Sequence, residues 1–407
     1  MRESVEVYGE RVRQARVMRR LTAKAVAAEL GWAPARLTRL EQSAATELPG
    51  ATFAALAGLL RFPPKFFVTE PLVRVHSSDL LFRAPKSTTK TEKEYLAQFA
   101  ALVGEFLDEL HSRWRLPAVK LPMIDPSTPT VDAALQVRAA LGVGPDEPFD
   151  YLVHVVEQAG VPVVVRRLLT TSDSADMIGV DHTRADKHLG YSTRVGDFRA
   201  RPLIVVRQSP SWERTRWTLA HEVGHLVLHA SGDVTEDKEE QASRFASELL
   251  APASCLRTEV GRTPSLMSLL PVKRKWGISI GALLRHLYAS DLINEDRFRS
   301  LQRQLYQRVN PETGQTWGRT EPGWNDREVE RPRLLSKWIE LGFSVSSAQP
   351  LQNFDLIFPP DVLAEFVVGQ RQAPSRAGAP SARPPAAPAP AMGEVVDFSR
   401  FQRSRQA

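Results

Sequence analysis

Trp217-Thr218-Leu219-Ala220-His221-Glu222-Val223-Gly224-His225-Leu226-Val227-Leu228-His229 is the stretch that decides how this chain is read. Within it, His221-Glu222-Val223-Gly224-His225 is an H-E-x-x-H motif on an apolar helical background. Four residues is just over one helical turn, so both imidazoles leave the same face and can grip one Zn2+ ion. Glu222 lies beside His221 and is placed to act as a general base on water activated by such an ion. A core helix with satisfied histidines is the competing explanation. Two imidazoles and a carboxylate on a face otherwise lined by Leu219, Ala220 and Leu226 would be a costly core. Leu203-Ile204-Val205-Val206 reads as a strand that precedes the helix across the turn at Ser209 and Pro210.

Zinc hydrolases of this kind use three protein ligands, so a third is expected downstream. Residues 239–250 carry apolar side chains at 242, 245, 246, 249 and 250, which is helical spacing. Glu239 and Glu240 open that stripe. Glu239 is the better placed, since it shares a face with Ala242, Ser243 and Ala246; Glu240 is the other candidate. Both would also suit a helix N-terminus through the macrodipole alone. His229 lacks the spacing of a metzincin third ligand, because Ser231 stands where that histidine would be. Packing or a helix-end role is the expectation for it. Tyr191 and His188 are the nearest candidates for an oxyanion donor, and each is read more readily as structural.

The block 217–225, followed by Glu239-Glu240-Gln241-Ala242-Ser243-Arg244-Phe245-Ala246 and Leu249-Leu250-Ala251-Pro252, resembles the ImmA/IrrE family of metallopeptidases. The resemblance implies that His221, His225 and Glu239 are zinc ligands and Glu222 the catalytic glutamate. Ser243 stands where that family usually has Asn, which removes an amide from the surroundings of the metal.

The first seventy residues point to a different activity. Val12, Ala15, Leu21, Val26, Leu30, Leu37 and Leu40 make a compact helical core. Thr22 caps a helix that ends at Gly31, and Pro34 opens a second one after a short turn. That is a helix-turn-helix, and its second helix would present Ala35, Arg36, Thr38 and Arg39 to the major groove of double-stranded DNA. The segment resembles the XRE (Cro/repressor-like) family, although Ala23 replaces a common Gln. Residues 1–70 hold eleven Lys and Arg against seven Asp and Glu, which permits DNA contact without demanding it. A head that docks on another protein is the alternative. Repressor-type heads work in pairs on two-fold sites, so a homodimer is the expectation.

The chain has 407 residues, a net charge of +6, 43% hydrophobic residues and a single cysteine, Cys255. These describe two or three ordinary globular domains without a disulfide framework, and a cytoplasmic location. No apolar run is long enough to span a bilayer, so no membrane partner is expected. The fold class expected is mainly α with a small β-sheet. Its parts are a helix-turn-helix head at 1–70, a connector with a long helix at 71–125, a zincin-like metallopeptidase domain at 126–260, a helical region at 261–370, and a flexible Pro/Ala-rich tail at 371–407. Val161–Val165, Met177–Val180 and Leu203–Val206 should form a three-stranded sheet on the zinc helices. Its edge strand would receive an extended protein substrate. A zinc endopeptidase that cleaves a transcriptional repressor or similar regulator, in a stress or mobile-element response, is the first functional expectation. A transcription factor using the peptidase-like domain as a sensor or platform is the second.

Overall fold

Side chains alternate along Gly190–Val195, so Tyr191, Thr193 and Val195 leave one face of that strand and Ser192 and Arg194 the other. This division organises the centre of the molecule. The computed structural model describes residues 4–81, 89–166, 190–196, 199–229, 235–343 and 357–367. Ser4–Val7 (β1) pairs antiparallel with Thr46–Pro49 (β2) beside a helical head. The head comprises Gly9–Met18 (α1), Ala23–Glu29 (α2), Pro34–Gln42 (α3), Gly50–Leu60 (α4) and Pro64–Val68 (α5). Then come Lys90–Arg113 (α6), Thr130–Ala140 (α7), Leu152–Gln158 (α8), Val163–Arg166 (β3), Gly190–Val195 (β4) and Arg201–Arg207 (β5). Trp212–Leu228 (α9) and Glu236–Leu250 (α10) follow the sheet. The remaining helices are Ala253–Glu259 (α11), Leu269–Trp276 (α12), Ile280–Ala289 (α13), Glu295–Gln307 (α14), Leu334–Phe343 (α15) and Pro360–Val367 (α16). The protein is mainly α with small sheets, as expected.

The central sheet has the order β3-β5-β4, with β3 parallel and β4 antiparallel to β5. Its third described strand is Gly190–Val195, which the sequence reading did not mark; residues 177–180 lie outside the described residues. Val164, Tyr191, Val195, Leu203 and Val205 pack into one core with α6, the head, α15 and α16. Val163, Ile204 and Val206 pack into a second with α7, α8, α9 and α10. A third core joins α11 to α14 through Leu269, Trp276, Ile280, Leu284 and Leu301, and Trp217 packs against both the second and the third. The sheet therefore backs α9 on one side only.

Local chemistry sets the element ends. Thr22 Oγ1 accepts from the Ala25 amide at 3.1 Å, and Ser279 Oγ from the Ala282 amide at 3.2 Å. Thr89 and Glu92 form a reciprocal capping box at the start of α6. The β1–β2 pair was not expected; its extended segments are only four residues each, and although Ser4-Val5-Glu6-Val7 alternates polar and apolar residues, Thr46-Glu47-Leu48-Pro49 does not. Among the described residues no helix is long and apolar enough to cross a membrane. Residues 371–407 lie outside the described residues.

Candidate metal centre

Ser211 Oγ accepts from the Arg214 amide at 3.2 Å and starts α9. The helix is anchored by charge as well as by its apolar face. Buried Arg216 pairs with Glu330 and donates to the Phe149 carbonyl at 2.8 Å, and buried Lys273 pairs with Glu213 at 2.6 Å. Removing one partner of such a pair would leave a buried charge uncompensated.

One turn apart, His221 and His225 bring their Nε2 atoms to 3.1 Å of each other. Glu239, from the first turn of α10, places Oε2 3.4 Å from His221 Nε2 and Oε1 3.2 Å from His225 Nε2. Gly224 allows α10 to lie this close. A Cβ there would meet Phe245 Cδ1 at 2.8 Å and the Ala242 carbonyl oxygen at 3.3 Å. Glu240, the other candidate, is exposed and pairs with Arg244. The geometry thus separates the two glutamates: Glu239 faces the histidines and Glu240 faces solvent.

Glu222 lies on the sheet side of α9 and is fully enclosed. Its Oε2 accepts from Ser192 Oγ at 2.8 Å, a contact made because Ser192 occupies the α9-facing side of β4. Gly190 keeps the strand near, since a Cβ there would sit 3.1 Å from Glu222 Oε1. Burial pushes the Glu222 carboxyl well above its ordinary range; the Ser192 hydrogen bond opposes this and the charge of Glu239 adds to it. Burial also brings His225 down to about 4. Burial would raise Glu239, but its contacts with both imidazoles outweigh this and bring it down to about 2. Near neutral pH the cluster therefore offers a neutral nitrogen at His225 and an ionised carboxylate at Glu239.

The backs of the imidazoles are also defined. Gln241 Nε2 donates to the Pro126 carbonyl at 2.7 Å, which turns Gln241 Oε1 toward His229 Nε2 at 3.0 Å. His229 Nε2 must then carry the proton. Burial keeps His229 below its ordinary pKa, so its neutral Nδ1 accepts from His225 Nδ1 at 2.9 Å. His225 Nε2 is thereby left with a free lone pair facing Glu239. On the other imidazole, Ser243 Oγ lies 3.4 Å from His221 Nδ1, where a hydroxyl can accept, and Trp217 stacks on the ring at 5.1 Å. Ser243 thus touches His221 from the place where an amide is missing. One ligand atom from each of His221, His225 and Glu239 converges, all within 4.8 Å of one another. Glu239 Oε1 has no hydrogen-bond partner among the described residues. That donor set suits a divalent cation such as Zn2+ and poorly suits a core.

Residues 175–288 match the peptidase family model described as the IrrE N-terminal-like domain (Peptidase M78). The matched span holds His221, Glu222, His225 and Glu239, so the whole cluster falls inside the match. It ends within α13. No curated protein matches the chain.

Other expected residues fall in different places. Tyr191 points away from Glu222 into the α6 side and donates to the Leu96 carbonyl at 3.1 Å, so it is no oxyanion donor. His188 lies outside the described residues. His229 is the C-cap of α9 and belongs to the hydrogen-bond chain behind His225. The edge of β4 is already engaged at Ser192, whose amide and carbonyl both bond Leu81, at 3.2 and 2.8 Å. Ala35, Arg36, Thr38 and Arg39 all lie on the solvent side of α3, with Leu37 and Leu40 buried beneath. Arg36 stacks over Trp32 at 4.2 Å, and Arg39 Nε reaches the Ala35 carbonyl at 3.3 Å. Ser192 and Gln241 were missed by sequence reasoning. Alternation along residues 190–195 was the available signal for the first, and none existed for the second.

Proposed function

We propose that the chain is a metal-dependent endopeptidase in which His221, His225 and Glu239 hold Zn2+ and Glu222 carries protons. The observation that carries this reading is the convergence of both Nε2 atoms and the Glu239 carboxylate beside an enclosed Glu222. When bound, the ion supplies Lewis acidity for the scissile carbonyl and positive charge that favours ionised Glu222. Ser192 orients the Glu222 carboxylate through Oε2, leaving Oε1 to take a proton from the attacking water. Glu222 then returns that proton to the departing amine. The hydrogen-bond chain from Pro126 through Gln241 and His229 keeps His225 Nε2 unprotonated. The substrate in this reading is a flexible segment of a regulatory protein.

The solvent-facing positions of Ala35, Arg36, Thr38 and Arg39 favour a second role for the head, binding double-stranded DNA through α3. A transcriptional regulator whose peptidase-like domain serves as sensor or platform is the alternative. Glu222→Gln tests the choice: zinc content stays, proteolysis stops, and regulation in the cell changes if cleavage is the biological role. Unchanged regulation would reject the peptidase role. Unaltered DNA affinity in an Arg36→Ala/Arg39→Ala double variant would reject the groove assignment.

A further inference from the structure

Beside the metal centre, a cavity of about 820 Å³ opens between the first turns of α9, the exposed side of α10, α13 and the segment around residues 317–324. Two of its lining residues, Trp217 and Ser243, are those that touch His221 by ring stacking and by hydroxyl contact. The cavity is therefore built against one side of the proposed ligand set. Its size is that of a site for a small molecule or a short extended chain, and it excludes a duplex.

The unpaired charge of its walls is positive. Glu213 and Glu321 line it, but both are paired with buried Lys273, at 2.6 and 3.0 Å. Glu321 also accepts from the first amides of α13, at 2.8 and 3.0 Å. Glu240 is matched by Arg244. Arg214, Arg285 and Arg319 remain; all three are exposed and none has an ion-pair partner among the described residues. Tyr288, Tyr306 and Trp324, about half exposed, stand among them. Since Leu81 engages the β4 edge at Ser192, a substrate has less of that strand to pair with, and this cavity is a concave surface that reaches His221 through Trp217 and Ser243.

We infer that this cavity binds an acidic, apolar-interleaved peptide segment, with Arg214, Arg285 and Arg319 selecting its carboxylates and the aromatic rings its apolar side chains. The inference rests on the peptidase reading and names its substrate class. Guanidinium forks pair carboxylates in two-point geometry, and an acidic chain would offset a surface charge that the protein leaves unmatched.

Binding is measured by fluorescence anisotropy in the zinc-loaded full-length Glu222→Gln chain, so hydrolysis is not needed for the readout. The probes are a fluorescein-labelled peptide alternating Glu and Leu, the same peptide with Gln for Glu, and a single-stranded oligothymidylate. The Glu peptide should bind about tenfold more tightly than the Gln peptide, an advantage that shrinks with added salt. The triple variant Arg214→Glu/Arg285→Glu/Arg319→Glu should lose that advantage, and the corresponding triple Lys variant should keep most of it. In the chain with Glu222 intact, the triple Glu change should raise KM for the Glu peptide and leave kcat near its starting value. Equal binding of the Glu and Gln peptides, indifference to the triple Glu change, or preferential capture of the oligothymidylate would each overturn the inference. A chain that binds the Glu peptide through these arginines yet hydrolyses nothing would instead count against the peptidase reading.

Discussion

Gln241 Oε1 lies 3.0 Å from His229 Nε2, and this contact decides which nitrogen of His225 carries its proton. The amide cannot turn over without facing its oxygen toward the Pro126 carbonyl. Gln241→Leu should therefore free the tautomer and weaken zinc binding by roughly 10–100-fold. Gln241→Glu keeps the acceptor and should fall between. Competition with a chromophoric chelator measures affinity, and imidazole nitrogen shifts report the tautomer. Equal affinity in all three chains would refute the relay.

Ser192 lowers the pKa of Glu222 by hydrogen bonding to Oε2. In Ser192→Ala that contribution disappears and the carboxyl protonates more readily. The acidic limb of the kcat/KM profile should move to higher pH, with zinc content unchanged. A profile that stays in place would show that Glu222 is not the titrating base.

Gly224 faces Phe245 and the backbone of Ala242 with no room for a methyl group. Gly224→Ala should push α10 outward, cost about 1–3 kcal/mol of stability and displace Glu239 from the histidines. Denaturant unfolding and zinc titration together check this. A variant as stable as the parent would mean that the helices can separate freely.

The metal motif was legible because a helix imposes a period that two imidazoles must obey, and Glu239 could be preferred to Glu240 by the same face argument. In the C-terminal helical region Leu266, Trp276, Ile280 and Leu287 are buried, and Leu270 and Leu292 pack partly buried against them. What escaped were contacts between elements far apart in sequence. Ser192 reaches Glu222 across thirty positions, Arg216 meets Glu330 across 114, and Gln241 finds Pro126 across 115. Alternation places Ser192 on one face of its strand, but the pairings themselves leave no periodic trace. They arise from register and helix packing, which the sequence specifies only collectively.

Glu157 is buried and accepts from the Arg333 and Leu334 amides at 2.9 and 3.1 Å, yet burial raises its pKa from 4.5 to about 7. The folded state therefore binds this proton more tightly than the unfolded one. Its stabilising effect is complete below about 4.5 and is lost as pH rises through about 7. Over that window stability should fall by as much as ~3 kcal/mol on this account alone. Glu157→Gln should flatten the profile between those values in denaturant titrations. An unchanged slope would show that the carboxyl ionises freely in the fold.

The central claim is most directly tested by metal stoichiometry in the purified full-length chain and in the Glu239→Ala and Glu240→Ala variants. Elemental analysis after zinc loading and removal of excess should find one ion per chain in the parent and in Glu240→Ala, and none retained in Glu239→Ala. Absence of bound metal in the parent, or full retention in Glu239→Ala, would contradict the account.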